Sequence, residues 1–572
     1  MSNAISPDIG PIPTHRRQSD RRERTADVLV EILQEQGVDT VFGLPGGTVA
    51  PIFDALLERP EIKVVITKHE MSAMFAAAAY ARISGKLGVV LVTSGPGVLN
   101  AVTGLATAGL DGASVLLIAG EVSRAMYGKG ALQEGSAYSL NVVGMTEHVV
   151  KLALEIPDAV AAPHALRRAI HTATTGKRGP VVVTVPLDVS KSKTHVPRVS
   201  QSSNVEPSFD EEILRAVGLA LSRPRRKLIF AGAGVRDGRG PQALRALAER
   251  LQCPVMTTPK GKGVFPEDHP LSVGVFGMGG HPSSTEMLKG GLETVLAVGT
   301  SLSDLSTNGF SSLLLPTRTF IHIDIDPAQI GRAYPAHLSI AAPADRALEA
   351  LLPLVDAAVE RKTYGIRREN PIAIARTEQG HISPVTAVEE IQSILPADAI
   401  VTVDSGEHYF FATHFLRTRV PDGFMVMTGL GAMANSIGGA IGAQLAAPNR
   451  RVATIVGDGG FLMACGEIAT IAEHQLPLTF FVFNDHRLGM VELGNQAIFG
   501  RTPSYSTGPV DIAKLASALG AQTFVVDGPG QIPSIPELLA PKGPIVVDVR
   551  VDPSVRFPKN GRFEALGKAG QS

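Results

Sequence analysis

Three times along the chain an uninterrupted apolar, β-branched run ends in glycines and gives way to a stretch of helical period: LGVVLVTSGPG at 87–97, RKLIFAGAGV at 226–235 and RVATIVGDGG at 451–460. A strand with one wet face alternates polar and apolar residues. A strand with no alternation is covered on both faces, which is the condition of a parallel sheet flanked by helices. The repetition predicts an α/β chain of three doubly wound parallel-sheet domains. Composition changes mark the joints: SKSKTHVPRVSQSSNVEPS (190–208) and RKTYGIRRENP (361–371) are polar and loop-like. The expected units are 25–190, 205–355 and 375–555, after a tail of residues 1–24 whose five arginines read as solvated and disordered.

The bulk numbers narrow the partners. With 572 residues the chain is too long for one core, and with 53 Lys and Arg against 54 Asp and Glu it has no general attraction for nucleic acid or a membrane surface. A small-molecule partner is expected. Cys253 and Cys465, the only two cysteines, lack metal-ligand spacing and fit a reducing compartment. No apolar run reaches the ~18 residues of a membrane span and the N-terminus has no apolar signal core, so a cytoplasmic location is expected.

In open parallel sheets, ligands lie beyond the carboxyl ends of the strands, where glycines let backbone N–H groups approach an anion. GAGVRDG in the middle unit is read as a tight turn, with a dinucleotide site as the alternative. The C-terminal unit carries more. Asp458 stands between glycines at one strand end, FLMACGEIATIAEHQ has helical period, Pro477 stops it, and LTFFVF runs into Asn484 and Asp485. The two acids therefore belong to the ends of consecutive strands joined by one right-handed crossover, where their side chains can converge. Two carboxylates beside bare glycine amides suit a magnesium-bound diphosphate, because the metal takes oxygen ligands and the amides take phosphate oxygens. On spacing alone, a pair of helix-capping acids is the alternative.

Gly-Asp-Gly followed at this interval by an Asn-containing strand end resembles the thiamin diphosphate signature of the pyruvate decarboxylase and acetolactate synthase superfamily, and the resemblance covers nearly the whole chain. It implies a pyrimidine-binding, a middle and a diphosphate-binding domain. It places thiamin diphosphate against Gly457, Asp458, Gly459, Gly460 and Asp485, and Mg2+ on Asp458, Asp485 and the backbone carbonyl of Arg487. The family's pattern closes on two asparagines; here the metal-binding place holds Asp485, an acid that still suits magnesium. VVITKHEMSAMFAAAAYARISGKLGVVLVTSGPGVLNAVTG (64–104) resembles the pyrimidine-binding region, so Glu70 falls on the catalytic glutamate and Asn100 among the cofactor contacts. An acid is needed there to share a proton with the pyrimidine nitrogen, and it must be shielded from water. FGLPGG (42–47) and ALQEGS (131–136) resemble loops facing the thiazolium, which assigns Gly46, Gly47 and the catalytic Gln133. DSGEHYFF (404–411) resembles a diphosphate-binding turn with Ser405, Gly406, Glu407 and His408, and TGLGAMANSIGGAIGAQLAAP (428–448) the segment that bends the cofactor, with Gly431 and Met433.

Among family members the style is that of acetolactate synthase, as in FGLPGGTVAPIFDAL and FIHIDIDPAQIGR. The specialising residues differ. The chain has no tryptophan, reads GMVELGNQAIFG where one is usual, and reads VGTSLSDL (298–305) where arginines face the flavin and the second keto acid. Ser123 and Leu132 stand for a proline and a phenylalanine, and Leu493 is read as facing the acceptor. FAD in the middle domain is accordingly left open. The reaction implied is decarboxylation of a 2-keto acid, with pyruvate leading, and transfer of the acyl anion to a carbonyl acceptor. A specialised acyloin synthase, a plain decarboxylase and a noncatalytic cofactor-binding relative are the alternatives. The adjacent His-His pair of pyruvate decarboxylases is absent. The resemblance also implies a homodimer or homotetramer with active sites between subunits.

Overall fold

The computed structural model describes residues 22–195, 209–223, 226–369 and 381–558. Three six-stranded sheets, parallel throughout, dominate it. In chain order the strands are β1 (Arg22–Arg24), β2 (Thr40–Gly43), β3 (Lys63–Ile66), β4 (Gly88–Val92), β5 (Val115–Glu121), β6 (Leu152–Glu155), β7 (Val181–Pro186) and β8 (Lys193–His195). The middle sheet uses β9 (Lys227–Ala231), β10 (Val255–Thr257), β11 (Ser272–Val275), β12 (Thr294–Val298), β13 (Thr319–Asp324) and β14 (Leu338–Ala341). The last uses β15 (Ile400–Val403), β16 (Phe424–Val426), β17 (Val452–Gly457), β18 (Thr479–Asn484), β19 (Gln522–Val526) and β20 (Ile545–Arg550). The glycine-terminated runs that announced the sheets are β4, β9 and β17, each near the centre of its sheet, and β4 is buried at all five positions.

Sheet order separates the domains into two kinds. The first runs β3-β2-β4-β5-β7-β6 and the last β16-β15-β17-β18-β20-β19, the same order relative to their own first strands. The middle sheet runs β11-β10-β9-β12-β13-β14, the order of dinucleotide-binding folds. Strand order reverses between β2 and β4, between β9 and β12, and between β15 and β17. Those reversals open the crevices in which ligands of such sheets sit.

The tail expectation needs one correction. Arg22–Arg24 is not free chain but a strand paired antiparallel with Lys193–His195, a stretch also read as loop. Backbone N–H and C=O groups of two polar segments satisfy each other there, which side-chain polarity does not reveal. Residues 1–21, and 196–208 of the polar linker, lie outside the described residues.

The first and last domains share one core. The helix Glu70–Ser84 lies against the helix Asn435–Ala446, and a Cβ added at Gly442 would stand 1.9 Å from the carbonyl oxygen of Ala76. At Gly438 it would stand 2.6 Å from that of Ser72. Only glycine allows backbones this close. The alanines of the first helix and Ile437, Ala440 and Ile441 of the second complete a dry interface.

The middle and last domains meet at a pair of buried imidazoles, His281 and His414, with ring centroids 4.9 Å apart. His281 accepts from the Val275 N–H at Nδ1 (2.9 Å) and donates from Nε2 to the His414 carbonyl (2.9 Å). His414 donates from Nδ1 to the Gly280 carbonyl (3.0 Å) and accepts from the Glu369 N–H at Nε2 (2.8 Å). Each ring uses one nitrogen as donor and the other as acceptor, so each is neutral. Burial, with Lys262 and Arg368 nearby, lowers both pKa values, His281 well below the ordinary range and His414 to about 4. Since the unfolded chain protonates these histidines near pH 6.5 and the folded one resists until about pH 4, folding stability is full above that range and falls as pH drops through it. The expected loss from His414 alone approaches roughly 3 kcal/mol. Thermal midpoints measured from pH 7 to pH 4 should fall more steeply for the native chain than for His414→Gln, which is less stable at neutral pH but has no proton to gain.

Candidate active site in two halves

Between the ends of β15 and β17 the last domain holds a cavity of about 230 Å3. Ser405, Gly406, Glu407 and His408 enter it from the turn after β15, Gly457 to Gly460 from the turn after β17, and Asp485 and Arg487 from the turn after β18. Gly431 and Met433 form a further wall. The sequence-predicted residues of this domain thus converge on one crevice. Leu493, half-buried on the helix Gly489–Phe499, packs against the domain core beside Met490, and Met490 and Val491 line the cavity.

Local structure explains the cavity's chemistry. Strand β17 ends at Gly457, and Asp458 opens the helix Asp458–Ala464, so the carboxylate sits beside helix-terminal amides. A Cβ at Gly459 would come within 2.8 Å of Leu488, and one at Gly406 within 2.3 Å of the His408 ring. Glycine at both places keeps backbone amides open to the crevice. Ala434, next to Met433, has φ of 66°, a left-handed conformation that costs an L-residue roughly 1 kcal/mol or more and sets the direction in which Met433 leaves the chain.

Acids crowd the cavity. Burial first, and then the charge of Asp485, push the Asp458 carboxyl up to about 6, although Thr507 donates a hydrogen bond to it. Burial also raises Asp485 against the lowering effect of Arg487, whose Nε donates to it at 2.9 Å. Asp404, beneath the turn after β15, is raised to about 6 by burial while accepting from Ser436 Oγ at 2.8 Å, which anchors the segment carrying Met433. His408 is held neutral, its pKa lowered to about 4 by burial, and its Nε2 has no protein partner. An unpartnered imidazole nitrogen, open glycine amides and two convergent carboxylates fit a diphosphate carried by a hard dication: the first two take phosphate oxygens, the acids take the metal. Among the described residues there is no group of three or more His, Cys, Asp or Glu that could hold a metal ion.

The remaining predicted residues form a second group in the first domain, beyond the carboxyl ends of β2 to β5. Gly46 and Gly47 follow β2, Glu70 opens the helix Glu70–Ser84, Asn100 lies in the helix Pro96–Asp111, and Gln133 is in the loop after β5. Glu70 is buried, and Asn100 Nδ2 donates to its Oε2 at 3.0 Å. Gln133 has a left-handed φ of 61°, and its carbonyl accepts from Ser94 Oγ at 2.7 Å. Ser94 Oγ lies 2.9 Å from the buried carboxylate of Glu121, which in turn accepts from the Gly135 N–H at 3.1 Å. None of these first-domain residues lines the cavity of Asp458 in the same chain.

Sequence reasoning missed the residues that manage the charge. Arg556 donates to Glu407 and, at 2.9 Å, to Glu492, while Arg487 reaches both Glu492 (3.6 Å) and Asp485. The order Glu407, Arg556, Glu492, Arg487, Asp485 alternates in sign, with Glu407, Arg487 and Asp485 on the cavity wall and Arg556 and Glu492 joining them from outside its lining. Partners up to 149 residues apart leave no local pattern to find. A second cavity, of about 590 Å3, opens at the middle sheet's reversal and is lined by Gly234, Gly299 and Asp324 of that domain, Arg82 and Asp111 of the first, and Thr428 of the last. The GAGVRDG turn therefore lies at a cavity mouth and is not a plain connection.

Comparison with known proteins bears on both halves. Residues 23–140 match the family model described as thiamine pyrophosphate enzyme, N-terminal TPP binding domain; 214–351 match its central domain, and 404–549 its C-terminal TPP binding domain. A probable acetolactate synthase large subunit of Methanocaldococcus jannaschii is 32% identical, the match covering 93% of each chain. The acetolactate synthase isozyme 1 large subunit of Escherichia coli is 30% identical over 93% of this chain and 94% of its own. The acetolactate synthase large subunit of Parasynechococcus marenigrum is 34% identical over 86% and 82%.

Removing Arg556 would leave Glu407 buried without its cation and Glu492 with only the longer contact to Arg487. Arg556→Ala is expected to cost ~2–3 kcal/mol, short of the ~3–5 kcal/mol of a fully buried pair because the guanidinium keeps some water. Adding Glu492→Gln to that variant should recover part of the loss, which a double-mutant cycle on thermal midpoints measures.

Proposed function

The chain belongs to the thiamine pyrophosphate enzymes, and from that membership we propose a thiamin-diphosphate- and Mg2+-dependent, acetolactate synthase-like carboligase that decarboxylates a 2-keto acid and passes the acyl unit to a carbonyl acceptor. The observation that carries this reading is the crevice with Asp458, Asp485, open amides and the unpartnered His408 nitrogen. Pyruvate is the proposed donor, from the names of the relatives and the acetolactate synthase style of the first domain.

In this reading Asp458, Asp485 and the Arg487 carbonyl hold Mg2+, and Ser405, Gly406, His408, Gly459 and Gly460 hold the diphosphate. Glu407, tied to Arg556, supports the turn. Gly431 and Met433 set the bend. When bound, the cofactor would supply a carbon nucleophile for the keto carbonyl and a cationic ring that takes up the electron pair released as carbon dioxide leaves. Glu70 shares a proton with the pyrimidine nitrogen from a water-poor position, Asn100 orients its carboxyl, and Gln133 faces the reacting carbon together with Gly46 and Gly47. The middle cavity has the glycine turns and volume for a dinucleotide such as FAD; the visible absorbance of the purified protein decides that assignment.

Because Glu70 and Asp458 lie in separate halves, a working centre needs the first domain of one chain and the last domain of another. Large apolar side chains exposed beside each half support this: Leu99 and Leu132 near one, Leu430, Met463 and Val491 near the other. A two-fold dimer would cover both pairs of half-sites at once.

Glu70→Gln is expected to keep cofactor affinity while nearly abolishing turnover and slowing exchange of the cofactor C2 proton. Unchanged exchange would remove Glu70 from its role. Asp458→Ala should abolish Mg2+-dependent cofactor binding by calorimetry, whereas Asp485→Asn should be tolerated, since an amide oxygen also ligates magnesium. Co-expressed Glu70→Gln and Asp458→Ala chains should regain about half a working site per dimer; activity no greater than that of the two parents would place both residues in one centre of one chain. A keto-acid and acceptor screen with mass-spectrometric product identification names the substrates, and cofactor binding without turnover of any keto acid would favour a noncatalytic protein.

A further inference from the structure

Glu467 is buried to 1% exposure and has no part in the crevice described above. It opens the helix Glu467–Glu473, which follows the Asp458–Ala464 helix after a break at Cys465 and Gly466. Its carboxylate reaches into the first domain of its own chain. Oε1 accepts from the backbone N–H groups of Lys68 (3.0 Å) and His69 (3.0 Å), and Oε2 from Lys68 N–H (3.1 Å) and Thr470 Oγ (2.9 Å). Lys68 and His69 are the two residues before Glu70. Thr470 Oγ also reaches the Ile66 carbonyl at 3.3 Å, and Lys68 Nζ pairs with Glu473 at 3.3 Å, so one short helix grips the whole approach to Glu70.

A buried carboxylate is costly unless its acceptors are used, and here they are spent on backbone donors that the following helix cannot satisfy itself. The Thr67–Lys68 and Lys68–His69 peptide planes are thereby tied to one carboxylate. Glu70 is the next residue, and a carboxyl that must meet one ring nitrogen tolerates only about half an ångström of drift. We infer that Glu467 is a positioning residue for Glu70, holding the peptide planes that aim its carboxyl. The inference rests on the shared-centre reading of Glu70 and Asp458. It has a consequence peculiar to that reading: Glu467 serves the centre containing its own chain's Glu70, and not the centre containing the Asp458 only nine residues before it.

The test uses the full chain with thiamin diphosphate and Mg2+, and reads exchange of the cofactor C2 proton by quenched-flow NMR, which needs no substrate. Glu467→Ala is expected to slow exchange ~10–100-fold, the range associated with misplacement of a reacting group by about 1 Å. Cofactor affinity by calorimetry should stay within about threefold, because the diphosphate half is untouched. Glu467→Gln, which keeps one acceptor oxygen for both N–H groups, should recover most of the rate. Parallel loss of affinity, exchange and thermal stability in both variants would mark a merely structural residue and overturn the inference.

Co-expression of differently tagged chains then assigns the centre. Glu467→Ala with Asp458→Ala should recover about half the exchanging sites, since one centre carries both lesions and the other neither. Glu467→Ala with Glu70→Gln should recover none. The reverse pattern would mean that Glu467 acts on Asp458, and the inference would fail while the shared centre stood. If instead Glu70→Gln with Asp458→Ala gives no recovery, the shared centre fails, and the exchange rate of Glu467→Ala against Glu467→Gln still decides the positioning role.

Discussion

The contact between the Glu70–Ser84 helix and the Asn435–Ala446 helix governs what the rest of the molecule can do. At Gly438 and Gly442 no side chain fits between the two backbones, so the first and last domains of one chain are joined at a fixed distance and angle. That junction leaves the first-domain residues outside the crevice of Asp458. The two domains share a sheet order. In the proposed reading each supplies half of a centre, and a second copy of the chain supplies the other half. The apolar side chains left exposed beside each half are consistent with that proposal.

Electrostatics follows the same logic. The crevice and the layer behind it gather Asp404, Asp458, Asp485, Glu407 and Glu492 within a domain whose interior resists charge, and burial raises Asp404, Asp458, Asp485 and Glu407. Arg487 and Arg556 offset part of this through alternating contacts, but among the described residues neither Asp404 nor Asp458 pairs with an arginine. Asp404 is held instead by donors from Ser405 and Ser436. Asp458, at a helix start among glycines with Thr507 as its side-chain donor, is the acid beside which a cation bringing an anionic ligand would have most to gain.

Much of this was legible in the chain. Continuous apolar runs without alternation identified β4, β9 and β17 because burial on both faces removes the pressure for polar residues, and glycines marked the crevice ends because backbone approach demands them. Asp458 and Asp485 could be paired because a single crossover fixes the distance between consecutive strand ends. What stayed hidden depends on contacts distant in sequence. Arg556 meets Glu407 across 149 residues, and Glu467 meets Lys68 across 399, with nothing local to suggest either. The ribbon of Arg22–Arg24 was invisible because main-chain pairing can hold segments whose side chains are wholly polar.

The large cavity of the middle domain is walled by all three domains, with Gly234 and Asp324 from one, Arg82 and Asp111 from another and Thr428 from the third. A ligand there would bind only where the three walls are already in place, so its binding free energy would be added to that of holding the domains together. Occupancy and assembly become one equilibrium. Such a molecule need take no part in chemistry to matter: it would act as a tie-bar, and the ratio of its free concentration to its dissociation constant would set how far the balance shifts against an opened joint.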